Sequence, residues 1–194
     1  MFVLEPKRFI SVVSGLPRSG TSMMMRILEA GGMPVLTDNI RLADSDNPNG
    51  YYEFEPVKHL RQDASWLVDA YGKAVKMVYR LLCELPLEHE YKVVMMSRHI
   101  GEVVASQDAM LRHMGKDKGT PTGKVAKVLQ SDLDRVQAWL RSRPNFLVLN
   151  LNYNSIIGDP KSAASELNRF LGGGLDTSAM SGVVDLSLYR HRQL

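Results

Sequence analysis

Short apolar runs alternate with longer stretches of helical periodicity along this chain. Phe9–Ser14 is short and rich in β-branched residues, the pattern of a parallel strand buried on both faces. Met24, Ile27, Leu28 and Gly31 then recur at helical spacing, and Gly31-Gly32 ends that helix. Met33–Leu36 predicts a second short strand, and Pro56 to about Ala70 predicts a helix. Val75–Tyr79 and Lys92–Ser97 predict two more strands. After the second of these, Val103, Val104, Met110, Leu111 and Met114 mark the inner face of a helix. Asp44–Gly50 and Lys116–Lys124 are polar and turn-rich, and read as surface loops. Val125, Val128, Leu129, Leu133, Val136 and Leu140 form one stripe of a long amphipathic helix stopped by Pro144. Phe146–Leu151 predicts a last strand, and Asp159-Pro160 opens a helix closed by Gly172-Gly173-Gly174.

Strands alternating with helices predict an α/β fold, a doubly wound parallel sheet flanked by helices, with residues 1–194 as one domain. In such sheets ligands bind outside the carboxyl ends of the strands. That rule brings the Arg18 turn, Asp38, Tyr79-Arg80, Arg98 and Tyr153 to one rim, although they are far apart in sequence.

Composition narrows the classes. The chain has 194 residues, 44% hydrophobic and 23% charged, enough for one good core. A net charge of +3 suits an anionic ligand and gives no sign of nucleic-acid binding. The single cysteine, Cys83, excludes an intrachain disulfide and points to a reducing compartment. No apolar run reaches membrane-span length, and Met1–Arg8 lacks the apolar core of a secretion signal, so the expected location is cytoplasmic. Scattered histidines and one cysteine give no metal-ligand spacing. Oligomeric state leaves no trace in the sequence.

The most informative stretch joins the first strand to the first helix: Ser14-Gly15-Leu16-Pro17-Arg18-Ser19-Gly20-Thr21-Ser22-Met23. A glycine-bearing turn that feeds a helix start aims backbone N–H groups and the positive end of the helix dipole at one point, which makes a phosphate seat. Gly15 and Gly20 have P-loop spacing, so the sheet is of P-loop type, but Thr21 occupies the place of the lysine that reaches the outer phosphates of ATP. The nearby cation is Arg18, on the turn itself. A kinase for a small substrate is the rival reading, and the missing lysine argues against it.

Leu16-Pro17-Arg18-Ser19-Gly20-Thr21-Ser22 resembles the 5′-phosphosulfate loop of sulfotransferases that use 3′-phosphoadenosine 5′-phosphosulfate (PAPS), in the spelling of the bacterial and protein-tyrosine enzymes. The resemblance implies that Pro17, Arg18, Ser19, Gly20, Thr21 and Ser22 hold the 5′ side of the donor. Met95-Met96-Ser97-Arg98, followed by Ser106 in the next helix, is similar to the family's 3′-phosphate site, where an arginine ends a strand and a serine follows. Tyr153-Asn154-Ser155, leading to Asp159-Pro160 and Phe170-Leu171-Gly172, resembles the tyrosine-led segment whose ring lies against adenine. Met23 is a candidate for the opposite wall. The basic end Tyr189-Arg190-His191-Arg192 is a candidate to close over the 3′-phosphate.

Sulfuryl transfer needs cations and N–H donors at the leaving oxygen, and a base for the acceptor's proton. Arg18 is the expected catalytic cation, with Lys76 a candidate second one. The cytosolic enzymes carry a histidine base in a Lys-Thr-His segment, whereas this chain reads Lys76-Met77-Val78. A carboxylate is therefore expected, as in the tyrosylprotein enzymes, whose glutamate follows the loop by about twenty residues. Asp38 stands at that distance, Glu53 and Glu55 are rivals, and His59 is a fourth choice. The acceptor, a small molecule or a peptide bearing a hydroxyl or amine, is not written in the motifs, and a chain that binds PAPS without catalysis is the other alternative.

Overall fold

The computed structural model describes residues 9–44, 47–113, 115 and 122–185. Five strands, β1 (Ile10–Gly15), β2 (Val35–Leu36), β3 (Ala74–Lys76), β4 (Tyr91–Ser97) and β5 (Phe146–Asn152), form one sheet in the order β2-β3-β1-β4-β5. Every pairing is parallel. Helix α1 (Thr21–Ala30) follows β1, and α2 (Ile100–His113) and α3 (Thr122–Arg141) connect β4 to β5. Helices α4 (Tyr153–Gly158), α5 (Pro160–Phe170) and α6 (Thr177–Gly182) follow β5.

The period-two alternation of strand side chains divides the core into two layers. Ile10 and Val12 face one layer with Leu67, Leu82, Val103, Leu133, Val136 and Leu140, so α2 and α3 cover that side. Val13 faces the other with Met24, Met25, Leu28, Ile156, Leu167 and Met180, under α1, α4, α5 and α6. A sheet covered on both faces is what the continuous apolar strands demanded. Among the described residues, no helix is long and apolar enough to cross a membrane.

Three expectations need correction. The helix expected over Pro56–Ala70 is two short 3₁₀ turns, Glu55–His59 and Ser65–Ala70. Between them the Asp63 carboxylate accepts the Ser65 N–H at 2.9 Å, a local bond that competes with helical continuation. The strand expected over Val75–Tyr79 covers only Ala74–Lys76, after which Tyr79–Glu84 turns as 3₁₀ helix. There Ser14 Oγ donates to the Met77 carbonyl at 2.9 Å and ends the pairing with β1. Val128, placed on the inner stripe of α3, is 59% exposed. Val103 and Val104 are buried as expected, whereas Met110 and Leu111 are half-buried. Met114, most of Lys116–Lys124 and the basic end Tyr189–Arg192 lie outside the described residues.

Candidate active site

The central strand β1 delivers the phosphate-binding turn to the carboxyl rim of the sheet. Gly15 has φ 153, and a Cβ there would come within 2.5 Å of the Met96 carbonyl oxygen, so the strand end sits tight against β4. Arg18 takes the left-handed conformation, φ 73, which a non-glycine residue adopts at a cost of about 1–3 kcal/mol. Gly20 is left-handed at φ 94, and a Cβ on it would lie 2.5 Å from Tyr153 Cδ2. Helix α1 begins there with no side-chain cap, leaving its N-terminal dipole directed at the turn. The Ser19 hydroxyl is buried behind the turn without a protein partner.

A second anion-binding group meets this turn from β4 and α2. Arg98 stands just past β4, and Ser106 lies on α2, 2% exposed. Arg18 Nε donates to Ser106 Oγ at 2.9 Å, and Arg98 Nη1 reaches the Arg18 carbonyl at 3.4 Å. Arg98 is paired to Glu102 one helical turn on (Nε to Oε2, 2.8 Å), with side chains only 8% and 3% exposed. Its guanidinium carbon lies 4.5 Å from the centroid of Tyr153, the first residue of α4. Asn154 Nδ2 adds contacts of 3.4 and 3.5 Å to the Glu102 carboxylate. Arg18, Arg98, Ser106 and Tyr153 are thus one cluster. Glu102 and Asn154 were not singled out in the sequence, although the Arg98/Glu102 spacing of four was a signal for a pair across the start of a helix.

The cluster forms one end of a cavity of about 580 Å³. Pro17, Gly20, Thr21, Ser22 and Met23 also line that end, so Ser19 is the one turn residue expected to bind the donor whose side chain faces away. On the β3 side of β1 the lining includes the apolar side chains Phe54, Val57, Met77, Val78 and Leu81, while Met110 follows Ser106 by one turn of α2. Lys76 enters at the junction, its Nζ 3.4 Å from Ser22 Oγ and donating to the Tyr51 carbonyl. Burial pulls the Lys76 ammonium down to about 8, partly opposed by the Glu53 charge and reinforced by Arg41.

Residues 37–44 and 47–55 strap across this junction. Asn47 Nδ2 donates to Ser22 Oγ at 3.2 Å, and the Glu53 carbonyl accepts from Thr37 Oγ1 and the Asp38 N–H, both at 3.1 Å. Of the four candidate bases, only Glu53 borders the cavity. Asp38 instead accepts the N–H groups of Ile40, at 2.9 Å, and Glu55, at 2.5 Å. The Ile40 bond foremost holds its carboxyl below the usual range, which suits a brace more than a proton acceptor. Glu55 pairs with Lys58 at 2.6 Å, and His59 is 64% exposed beside Glu55; neither borders the cavity. Tyr79 is buried in the core, and Arg80 turns away to Asp132 on α3. Among the described residues no group of three His, Cys, Asp or Glu could hold a metal ion.

Comparison with known proteins places this architecture. Sulfotransferase 2B1 of Rattus norvegicus is 24% identical over 190 residues, which cover 89% of this chain and 52% of that protein. The fold is similar to mouse sulfotransferase SULT7A1 complexed with PAP, the desulfated donor, at a TM-score of 0.57 and 20% identity over 91% of this chain and 62% of that one. It is also similar to the sulfotransferase domain of the Synechococcus PCC 7002 olefin synthase, at a TM-score of 0.54 and 14% identity over 97% of this chain and 86% of that one. The chain spans about half the length of the rat relative. The family pattern described as sulfotransferase domain matches residues 10–193, nearly the whole chain, which therefore belongs to the sulfotransferase domain family.

Proposed function

We propose that this chain transfers a sulfuryl group from PAPS to a hydroxyl or amine of a small, largely apolar acceptor. The observation that carries the reading is the cavity's asymmetry: two arginine-bearing anion seats at one end, an apolar wall at the other, and the Glu53 carboxylate on its border. Two adjoining seats suit a nucleotide with phosphates on both its 5′ and 3′ positions. A P-loop kinase has no use for the second seat, and the lysine it needs is replaced in this chain by Thr21.

The donor set fits such a ligand. Ser22, the turn's N–H groups and Arg18 hold its 5′ side, Arg98 and Ser106 its 3′-phosphate, and Tyr153 and Met23 flank its base. Bound PAPS supplies a sulfuryl group activated by its phosphosulfate bond. Arg18 and Lys76 stabilise the negative charge that develops on the departing phosphate oxygen, in a setting already preorganised by the Ser106 contact. Glu53 takes the acceptor's proton. The apolar wall carries the body of the acceptor, and it makes a small molecule the better choice over a peptide. A functional base also speaks against a chain that only binds PAPS. A cytoplasmic setting suits the single cysteine, Cys83.

Two measurements test this. In calorimetry the protein should bind adenosine 3′,5′-bisphosphate (PAP) at least thirtyfold more tightly than AMP, the worth of a buried arginine–phosphate contact of about 2–3 kcal/mol. Equal affinities would end the sulfotransferase reading. PAP release should be seen from PAPS with 2-naphthol or a long-chain alcohol ahead of N-acetylglucosamine or a tyrosine peptide, and Glu53→Gln should abolish it while leaving PAP affinity intact. A fully active Glu53→Gln variant removes Glu53 as the base.

A further inference from the structure

We infer that Arg41 is the positioning residue for Glu53, an inference that rests on reading Glu53 as the base. A glutamate has three rotatable side-chain bonds, and one that borders a solvent-filled cavity spreads over many rotamers unless something fixes it. The backbone of Glu53 is fixed by its carbonyl, held by Thr37 and Asp38. The side chain needs a separate clamp. Arg41 provides it, with Nη1 donating to Glu53 Oε1 at 2.9 Å.

The clamp is itself supported. The Arg41 guanidinium carbon lies 3.4 Å from the centroid of the Tyr51 ring, close enough for stacking and cation–π attraction. Tyr51 is 6% exposed and its hydroxyl donates to the Asp44 carboxylate, 2.7 Å from either oxygen. The Tyr51 carbonyl takes Ser22 Oγ at 3.3 Å and the Lys76 ammonium, which ties the platform to the phosphate-binding turn. Asp44, Tyr51, Arg41 and Glu53 thus form a relay of contacts that starts on the strap and ends at the cavity. The other cation within ion-pair range of Glu53 among the described residues is Lys58, 3.8 Å from Oε2 and 55% exposed, a flexible point charge without a platform. A planar fork stacked on a buried ring loses less freedom per hydrogen bond than a lysine does. Asp38 and Glu55, which carry no such clamp, also do not border the cavity.

Arg41→Met tests the assignment because it keeps the stem that packs on Tyr51 and removes only the donors. With the acceptor that the PAP-release panel selects, kcat should fall about ten- to thirtyfold, since the carboxylate must be re-ordered at each turnover. The KM for PAPS and the affinity for PAP should stay within about twofold, which a general loosening of the fold would not allow. Arg41→Lys should recover part of kcat. An acceptor-independent readout is labelling of Glu53 by a water-soluble carbodiimide with glycine methyl ester, followed by peptide mass spectrometry. Glu53 labelling should rise severalfold in Arg41→Met while Glu55 labelling holds constant. Parental kcat or parental Glu53 labelling in Arg41→Met, with Glu53→Gln inactive, overturns the role of Arg41 alone. An active Glu53→Gln overturns the base assignment and the role of Arg41 with it.

Discussion

At the donor end of the cavity each functional group stands on or just after an element of regular structure: Arg18 after β1, Arg98 after β4, Tyr153 after β5, and Ser106 on α2. Their contacts are at least partly buried, and the cluster's geometry follows from the sheet. At the acceptor end, Arg41, Tyr51 and Glu53 lie on a strap between β2 and the first 3₁₀ turn, shaped by side-chain bonds such as Asp38 to Glu55 N–H and Asn47 to Ser22. Such a segment changes shape through single side chains, whereas the donor end moves only if the sheet does. One protein scaffold can therefore keep its donor while its acceptor changes, because the two ends answer to different physics.

The largest effect that would sharpen this contrast concerns Arg18. Arg18→Ala should lower kcat by about 10²–10³-fold while PAP affinity falls much less, because the guanidinium meets charge that develops only as the bond breaks. A variant with undiminished turnover would take Arg18 out of the chemistry. Next comes Arg98→Ala, which should weaken PAP by about thirty- to a hundredfold and leave AMP nearly unchanged. It removes the guanidinium from Glu102, 3% exposed, so a stability loss of about 3–5 kcal/mol should accompany it and shrink in the double variant Arg98→Ala/Glu102→Gln. Thermal melts that show no such recovery would mean that the Arg98–Glu102 pair is not what rigidifies the donor end.

A smaller effect is expected from Lys76. Its ammonium is held down to about 8, so it is charged below that pH and neutral above it. PAP affinity should accordingly decline severalfold between pH 7 and pH 9, and Lys76→Met should flatten that slope. For folding the sign is opposite. The unfolded chain keeps the Lys76 proton up to about 10.5, so this group's burden on stability eases as pH climbs from about 8 toward 10.5. A slope that persists in Lys76→Met would assign it to another group. The smallest effect belongs to Asp38: Asp38→Asn should cost about 1 kcal/mol of stability through weakened backbone bonds and leave turnover within a few fold. Loss of all activity in Asp38→Asn, with the melt unchanged, would return Asp38 to the list of bases.

The same contrast explains how far the sequence could be read. The strands and the Arg18 turn were legible because buried parallel strands leave continuous apolar runs, and a turn that needs left-handed backbone leaves glycines. The rim rule then brought Arg18, Arg98 and Tyr153 together. It failed for Asp38 and Tyr79-Arg80, because a rim position does not say which way a side chain turns, and Arg80 finds Asp132 outside the cavity. The 56–70 segment misled because its apolar residues Val57, Leu60, Trp66, Leu67 and Ala70 are buried from two turns and not from one helix face. Arg41 was invisible for a related reason. Its meaning depends on Tyr51 and Glu53 being neighbours in space, and an irregular strap has no period from which to infer that.

The strand order carries a further consequence, for the time course of folding. β1 is the middle strand, yet its pairing partners are Ala74–Lys76 and Tyr91–Ser97, and Tyr153, which closes over Gly20, comes later still. The phosphate-binding turn precedes in the chain every segment that surrounds it. Parallel pairings between distant segments of this kind fold slowly, because loop-closure entropy is spent before contacts repay it. The anion seats come into being only when β4 has docked on β1 and β5 on β4. A nucleotide that fills them binds the folded chain alone and therefore adds to its stability.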